Sequence, residues 1–223
     1  SSYNLQYKLK NMNIEMRLKR TLLVAGALLG IIYNAWAQNR LITYPAPEGE
    51  EMKNDFVVDV REPGGEWKQV DTYAVKVDEV RDTKHHVEKA SLGYFDFSGE
   101  VEVKVRFRHG SIEIARVRPL SYGIVPTVTD SVLTFRLDRP RNLSVEVNGD
   151  IFHNLHLFAN PIDVNNPLEG TTLKKLKRRR DLIYFGPGVH HLPGDTLNVP
   201  SGKTVYVAGG AVVKGCILSL IHI

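Results

Sequence analysis

Apolar and polar residues alternate one for one through Val101-Glu-Val-Lys-Val-Arg-Phe107, with apolar side chains at 101, 103, 105 and 107. A period of two puts those side chains on one face of a strand, half-buried in a sheet. Short runs of similar texture recur at Phe56–Val60, Tyr73–Val77, Tyr94–Phe97, Ile112–Ile114 with Val117, Val132–Leu137 and Leu143–Val147. His109-Gly110, Asp138-Arg-Pro140 and Asn148-Gly149-Asp150 supply turn chemistry between them. Roughly seven short strands at this spacing predict an antiparallel β-sandwich over residues 38–150. Leu41 to Glu51, rich in Pro, Glu and Gly, reads as an extended entry segment.

The pattern then changes. Ile151–Ala159 is a further strand, and Asp163–Arg180 is polar, so residues 151–180 read as a bridge strand and linker. From Asp181 onward, β-branched runs alternate with tight corners. Leu182–Tyr184 and Val189–Leu192 flank Gly-Pro-Gly, Thr196–Val199 and Thr204–Val207 flank Pro-Ser-Gly, and Ala211–Val213 follows Gly209-Gly210. Strands this short and this apolar are buried by stacking on the next copy of themselves, which predicts the first coil of a parallel β-solenoid over residues 181–223. The expected class is all-β. A solenoid that has only begun where the chain stops at Ile223 reads as the N-terminal fragment of something larger, with its apolar lower face uncapped.

Net charge enters here, because it separates the ends of the chain. The formal charge of +4 suggests a polyanion partner, yet residues 1–37 carry five Lys/Arg against one acid, and residues 38–223 carry 24 of each. The folded part has no global field for nucleic acid. The basic stretch is a leader: Met16-Arg-Leu-Lys-Arg20 is a positive n-region, Thr21–Ile32 an apolar core, and Ala35-Trp36-Ala37 a small-x-small cleavage signature before Gln38. Residues 12–37 are read as a signal peptide, and residues 1–11 as upstream sequence ahead of a start at Met12 or Met16. The apolar core is shorter than the roughly 20 residues of a membrane span, so no span is expected after cleavage. Cys216 is the only cysteine, so an internal disulfide cannot form. Export without disulfides fits a bacterial periplasmic, cell-surface or extracellular protein.

Candidate chemistry is sparse. His153 and His156 sit three apart, and on a strand they diverge to opposite faces, as do the adjacent His190 and His191. His85-His86 lack ligand spacing around them. No metal site and no cofactor are expected. Lys174–Arg180 holds six positive charges and reads as a solvated loop rather than a groove for an acidic polymer, because the charges are contiguous. Trp67, Tyr73, Tyr94 and Phe95 offer a sugar-stacking platform, against which stands ordinary sandwich packing. Gly209-Gly210 is read as a coil corner, since no helix follows to make it a phosphate cradle. Cys216 and His222 receive no role.

Val117-Arg-Pro119, Ser121–Val125, Leu137–Pro140 and Leu143–Asp150 resemble the N-terminal β-sandwich of bacterial polygalacturonase-like glycoside hydrolases of family 28. Ile183–His190 and Val207–Gly215 resemble the cap and first coil of their pectin-lyase-like right-handed β-helix. A sandwich followed by a β-helix also occurs in dextranase-like family 49 enzymes. The resemblance implies a secreted polysaccharide-degrading hydrolase acting on galacturonan or pectin with inversion. In such a mechanism one carboxylic acid protonates the glycosidic oxygen while a second carboxylate activates water. The family's aspartate clusters and its Gly-His-Gly and Arg-Ile-Lys segments are not present, so no catalytic residue is assigned and the fragment itself is expected to be inactive. Asp181 and Asp195 lie beside turns with no second acid facing them. The rival expectations are a non-catalytic β-helix surface or carbohydrate-binding protein and a polysaccharide lyase.

Overall fold

A computed structural model describes residues 39–219 apart from 82 and 177. The leader expected over 1–37 and the chain end with His222 lie outside the described residues.

The alternation does set the core. In β2 (Phe56–Arg61) the buried residues are Phe56, Val58 and Val60, and in β6 (Val101–Phe107) they are Val101, Val103 and Val105. In β9 (Val132–Leu137) they are Leu133, Phe135 and Leu137. With β3 (Lys68–Val70) and β8 (Thr127–Thr129) these strands form an antiparallel sheet in the order β3-β2-β6-β9-β8.

The facing sheet has six strands: β1 (Arg40–Thr43), β4 (Thr72–Arg81), β5 (Lys84–Ser98), β7 (Ala115–Arg118), β10 (Arg141–Val147) and β11 (Asp150–Pro161). Phe95 and Phe97 of β5, Leu143 and Val145 of β10, and Leu155 and Leu157 of β11 meet the first sheet in one core cluster. Each such side chain gains about 1.5–3 kcal/mol on leaving water.

Three features depart from the sequence reading. First, β5 is one long strand rather than the short run at 94–97. It carries β4 and then β1 on one edge, from Lys84 opposite Arg81 to Ser98 opposite Arg40. The start of the entry segment is therefore a paired strand. Second, the sandwich is not purely antiparallel: the bridge strand β11 pairs with β5 in parallel, Leu155 opposite Ser91 through Pro161 opposite Phe97. The chain leaves β5 for the other sheet and comes back through β7 and the β10–β11 hairpin, so it arrives running in the same direction as β5. Third, Ile112–Ile114 is not a strand. The Asn148 side chain, at φ +54°, accepts the Glu113 and Ile114 amides at 2.9 and 3.3 Å and donates to the Ser111 carbonyl at 3.0 Å, replacing ladder bonds. Ile112 still reaches the core, and Ile114 faces solvent.

The linker holds one helical turn, α1 (Leu173–Leu176), pinned by the buried Leu176. Beyond it run β12 (Leu182–Phe185), β13 (Gly188–Val199), β14 (Thr204–Val207) and β15 (Ala211–Ser219). β14 pairs in parallel with β12, and β15 with β13. The segment expected to form one coil thus already reaches a second rung. Gly209-Gly210 is a corner, with Gly210 at φ +79°, where an L side chain is strained. Val207, Ile217 and Leu218 are exposed on the second rung.

Candidate functional site

β5 places both the core and a cleft. Phe95 and Phe97 point inward, so Tyr94 and Asp96 project from the opposite face. On the coil, the parallel register sets Tyr184 directly opposite Tyr206, and their rings stack 5.8 Å apart at 8°. Between the sandwich face, the segment Ile162–Glu169 and the coil lies an open cleft of about 940 Å³, lined by Tyr44, Tyr94, Tyr184, Tyr206, Asp96 and Asp163 among others.

Two tyrosine–aspartate pairs organise it. The Tyr44 hydroxyl donates to Asp96 Oδ2 at 2.6 Å, and Tyr206 donates to Asp163 Oδ2 at 2.6 Å. Such short O–H···O⁻ bonds are the strong, charge-assisted kind. Asn160 adds a longer bond to Asp96, and the Asn165 amide a 2.8 Å bond to Asp163. Burial first, then the hydrogen bond to the neighbouring carboxylate, pushes the Tyr44 and Tyr206 phenols well above the ordinary tyrosine value. Both therefore stay protonated and donate. Tyr94 stacks on Tyr44 at 5.5 Å, and its hydroxyl accepts the Gly210 amide at 2.8 Å, tying the sandwich to the coil corner. A Cβ on Gly209 would overlap the Tyr44 ring, so only glycine lets the corner approach this closely. Chemically the cleft offers aromatic surface beside carboxylate acceptors, an arrangement suited to binding polyhydroxylated molecules.

The residues singled out in the sequence are scattered. His153 faces a small cavity of about 340 Å³, its two ring nitrogens 2.8 Å from Asp150 and 3.1 Å from Glu88. The Asp150 hydrogen bond outweighs burial, and with help from Glu88 it raises the His153 pKa. His156 is half-buried on the same strand, and burial lowers its pKa. His190 donates to the Gly186 carbonyl at 2.7 Å, and His85 pairs with Asp78 at 2.6 Å. Among the described residues no group of three or more His, Cys, Asp or Glu is placed to hold a metal.

The described part of the Lys174–Arg180 run is exposed apart from Leu176, and Arg179 pairs with Asp181. Asp195 lies within β13 at φ +55°, where the strand's register shifts between His191 and Thr196, and Cys216 is exposed on β15. The aromatic set divides. Phe95 is core, Tyr73 is buried, and Trp67 is capped by Arg61 and Lys104, each 4.3 Å from the ring centroid. Tyr94 alone of the four lines the cleft. Tyr44, Asp96, Asp163, Tyr184 and Tyr206 escaped the sequence reading. A signal for the last two existed, since superposing the two rungs aligns Leu182-Ile-Tyr184 with Thr204-Val-Tyr206.

Neither the protein-family models nor the curated protein sequences give a match. Among solved structures the chain is similar to Dex49A from Penicillium minioluteum, with a TM-score of 0.54 at 16% identity. At that identity the likeness shows a shared fold. The likeness covers 79% of this chain and 46% of the neighbour, so the chain spans under half of that protein's length. The sandwich followed by the onset of a right-handed parallel β-helix accounts for it.

Proposed function

We propose that this chain is the N-terminal part of an exported polysaccharide-degrading glycoside hydrolase. Its sandwich caps a catalytic β-helix, and hydrolysis proceeds with inversion in coils beyond those described. The observation that carries this reading is the direct passage from the sandwich through β11 and the linker into a parallel two-rung coil, the order found in the β-helix glycoside-hydrolase fold. The exposed apolar residues of the second rung, Val207, Ile217 and Leu218, suit a further coil stacked on them. Export rests on the leader at residues 12–37, and an active centre needs two carboxyl groups about 6.5–9.5 Å apart on later coils.

The preferred substrate is a galacturonan or pectin-type chain, from the motif resemblance at Ile183–His190 and Val207–Gly215. A neutral glucan is the second reading, favoured by the likeness to Dex49A. A reducing-sugar assay of the complete gene product on polygalacturonate and on dextran separates them. Release from polygalacturonate alone supports the first, and release from dextran alone replaces it with the second. Cleavage that leaves an unsaturated uronate absorbing in the ultraviolet identifies a lyase and refutes hydrolysis.

A further inference from the structure

The junction cleft has a charge character opposite to what a uronate polymer requires. Among the described lining residues Arg40 is the only cation, against Asp96, Asp163 and Glu169. A polyanion entering there would place its carboxylates beside like charges, which disfavours it where they are partly desolvated. A neutral sugar meets no such penalty. Its C–H faces pack on aromatic rings, and its hydroxyls donate to carboxylate oxygens, each of which accepts more than one hydrogen bond.

The geometry supplies both parts. Tyr44, Tyr94, Tyr184 and Tyr206 are each only partly buried and all line the cleft, as the stacked pairs Tyr44–Tyr94 and Tyr184–Tyr206, with Tyr94 also stacked on Tyr73. Asp96 and Asp163 are held by the tyrosine hydroxyls at 2.6 Å with acceptor capacity left over. The volume of about 940 Å³ lies at the upper end of the range for small-molecule sites.

We propose that the cleft between the sandwich and the first coil is a binding subsite for a short neutral oligosaccharide, with Asp96 and Asp163 accepting its hydroxyls beside the tyrosine rings. The subsite is not a catalytic centre and stands apart from the hydrolase reading, because it is measured by binding and needs no turnover. It would hold a glycan against the sandwich whatever the later coils do to it.

The test is isothermal titration of the purified chain with isomaltotetraose, cellotetraose and trigalacturonate, together with amide chemical-shift mapping. At least one neutral probe should bind, with trigalacturonate at least ten-fold weaker. Asp163→Ala, on an exposed segment, should raise the dissociation constant of that probe at least ten-fold, as should Tyr206→Phe, which removes only a hydroxyl. The Gly210 amide, bonded to Tyr94 in the wild type, is a reporter that needs no variant and should shift on binding. Binding of neither neutral probe overturns the proposal. So does equal or tighter binding of trigalacturonate, unchanged affinity in both variants, or shifts confined to residues away from the cleft.

Discussion

Replacing Gly209 by Ala tests the junction through one methyl group. Gly209 has an ordinary backbone conformation, so the cost is steric: the new Cβ lands inside the Tyr44 ring. The ring must withdraw towards ordinary carbon–carbon separations of about 3.5–4.0 Å. Withdrawal breaks the 2.6 Å bond to Asp96, and a hydrogen bond to a charged group contributes about 1.5–3 kcal/mol, less here because the ring is only partly buried. It also disturbs the 5.5 Å stack on Tyr94, for about 0.5–1.5 kcal/mol. Allowing for partial relaxation, the expected loss is about 2–4 kcal/mol. For a domain of this size about 3 kcal/mol corresponds to a fall of roughly 6–12 °C in Tm. Thermal and urea unfolding monitored by far-ultraviolet circular dichroism would measure it. The decisive comparison is with Tyr44→Ala and the double variant. If the overlap with Tyr44 is the cause, the alanine at 209 costs little once the ring is gone, so the two losses are far from additive. A single-variant loss below about 0.5 kcal/mol, or full additivity, refutes the reasoning.

Other outcomes follow from the sandwich. Arg118 Nε donates to the buried Glu146 at 2.5 Å, so Arg118→Met should cost about 2–4 kcal/mol by leaving a buried carboxylate alone. Arg118→Met with Glu146→Leu should recover most of it in urea unfolding. Asn148→Gly keeps the positive φ but loses three backbone bonds, and should cost about 1–3 kcal/mol, with Asn148→Ala costing more for want of φ freedom. His153 has a raised folded pKa, so its contribution is fully present below the ordinary value of 6.5 and is lost as pH rises through the folded value. The stability gap between wild type and His153→Gln should therefore be widest near pH 5.5–6 and shrink towards pH 8. Histidine NMR titration should place His153 above 6.5 and His156 below it.

Strand parity was legible because burial on one face is a local property of alternating residues. Val101, Val103 and Val105 needed no knowledge of their partners to be assigned inward. Pairing was less so. Nothing local to Leu155 says that it runs parallel to Ser91, since that depends on the chain having crossed to the other sheet in between. Ile112–Ile114 failed because a side chain 34 to 37 positions away supplies the hydrogen bonds a strand would have needed. The cleft was illegible for the same reason in three dimensions, as Tyr44 and Asp96 are 52 positions apart and Tyr206 and Asp163 are 43. Trp67 illustrates the converse: an aromatic that looked available is covered by two cations.

The double duty of β5 has a consequence for how the cleft would respond to a ligand. Tyr94 and Asp96 alternate with Phe95 and Phe97, both fully buried, on a strand paired along each edge. Neither cleft residue can shift its backbone without shearing the core and two ladders, so this wall is preorganised. Adaptation falls instead to the exposed segment around Asp163, which carries no regular structure. Recognition there would combine a rigid template with one compliant lip, and affinity would be tuned by stiffening residues 162–169 while leaving the strand untouched.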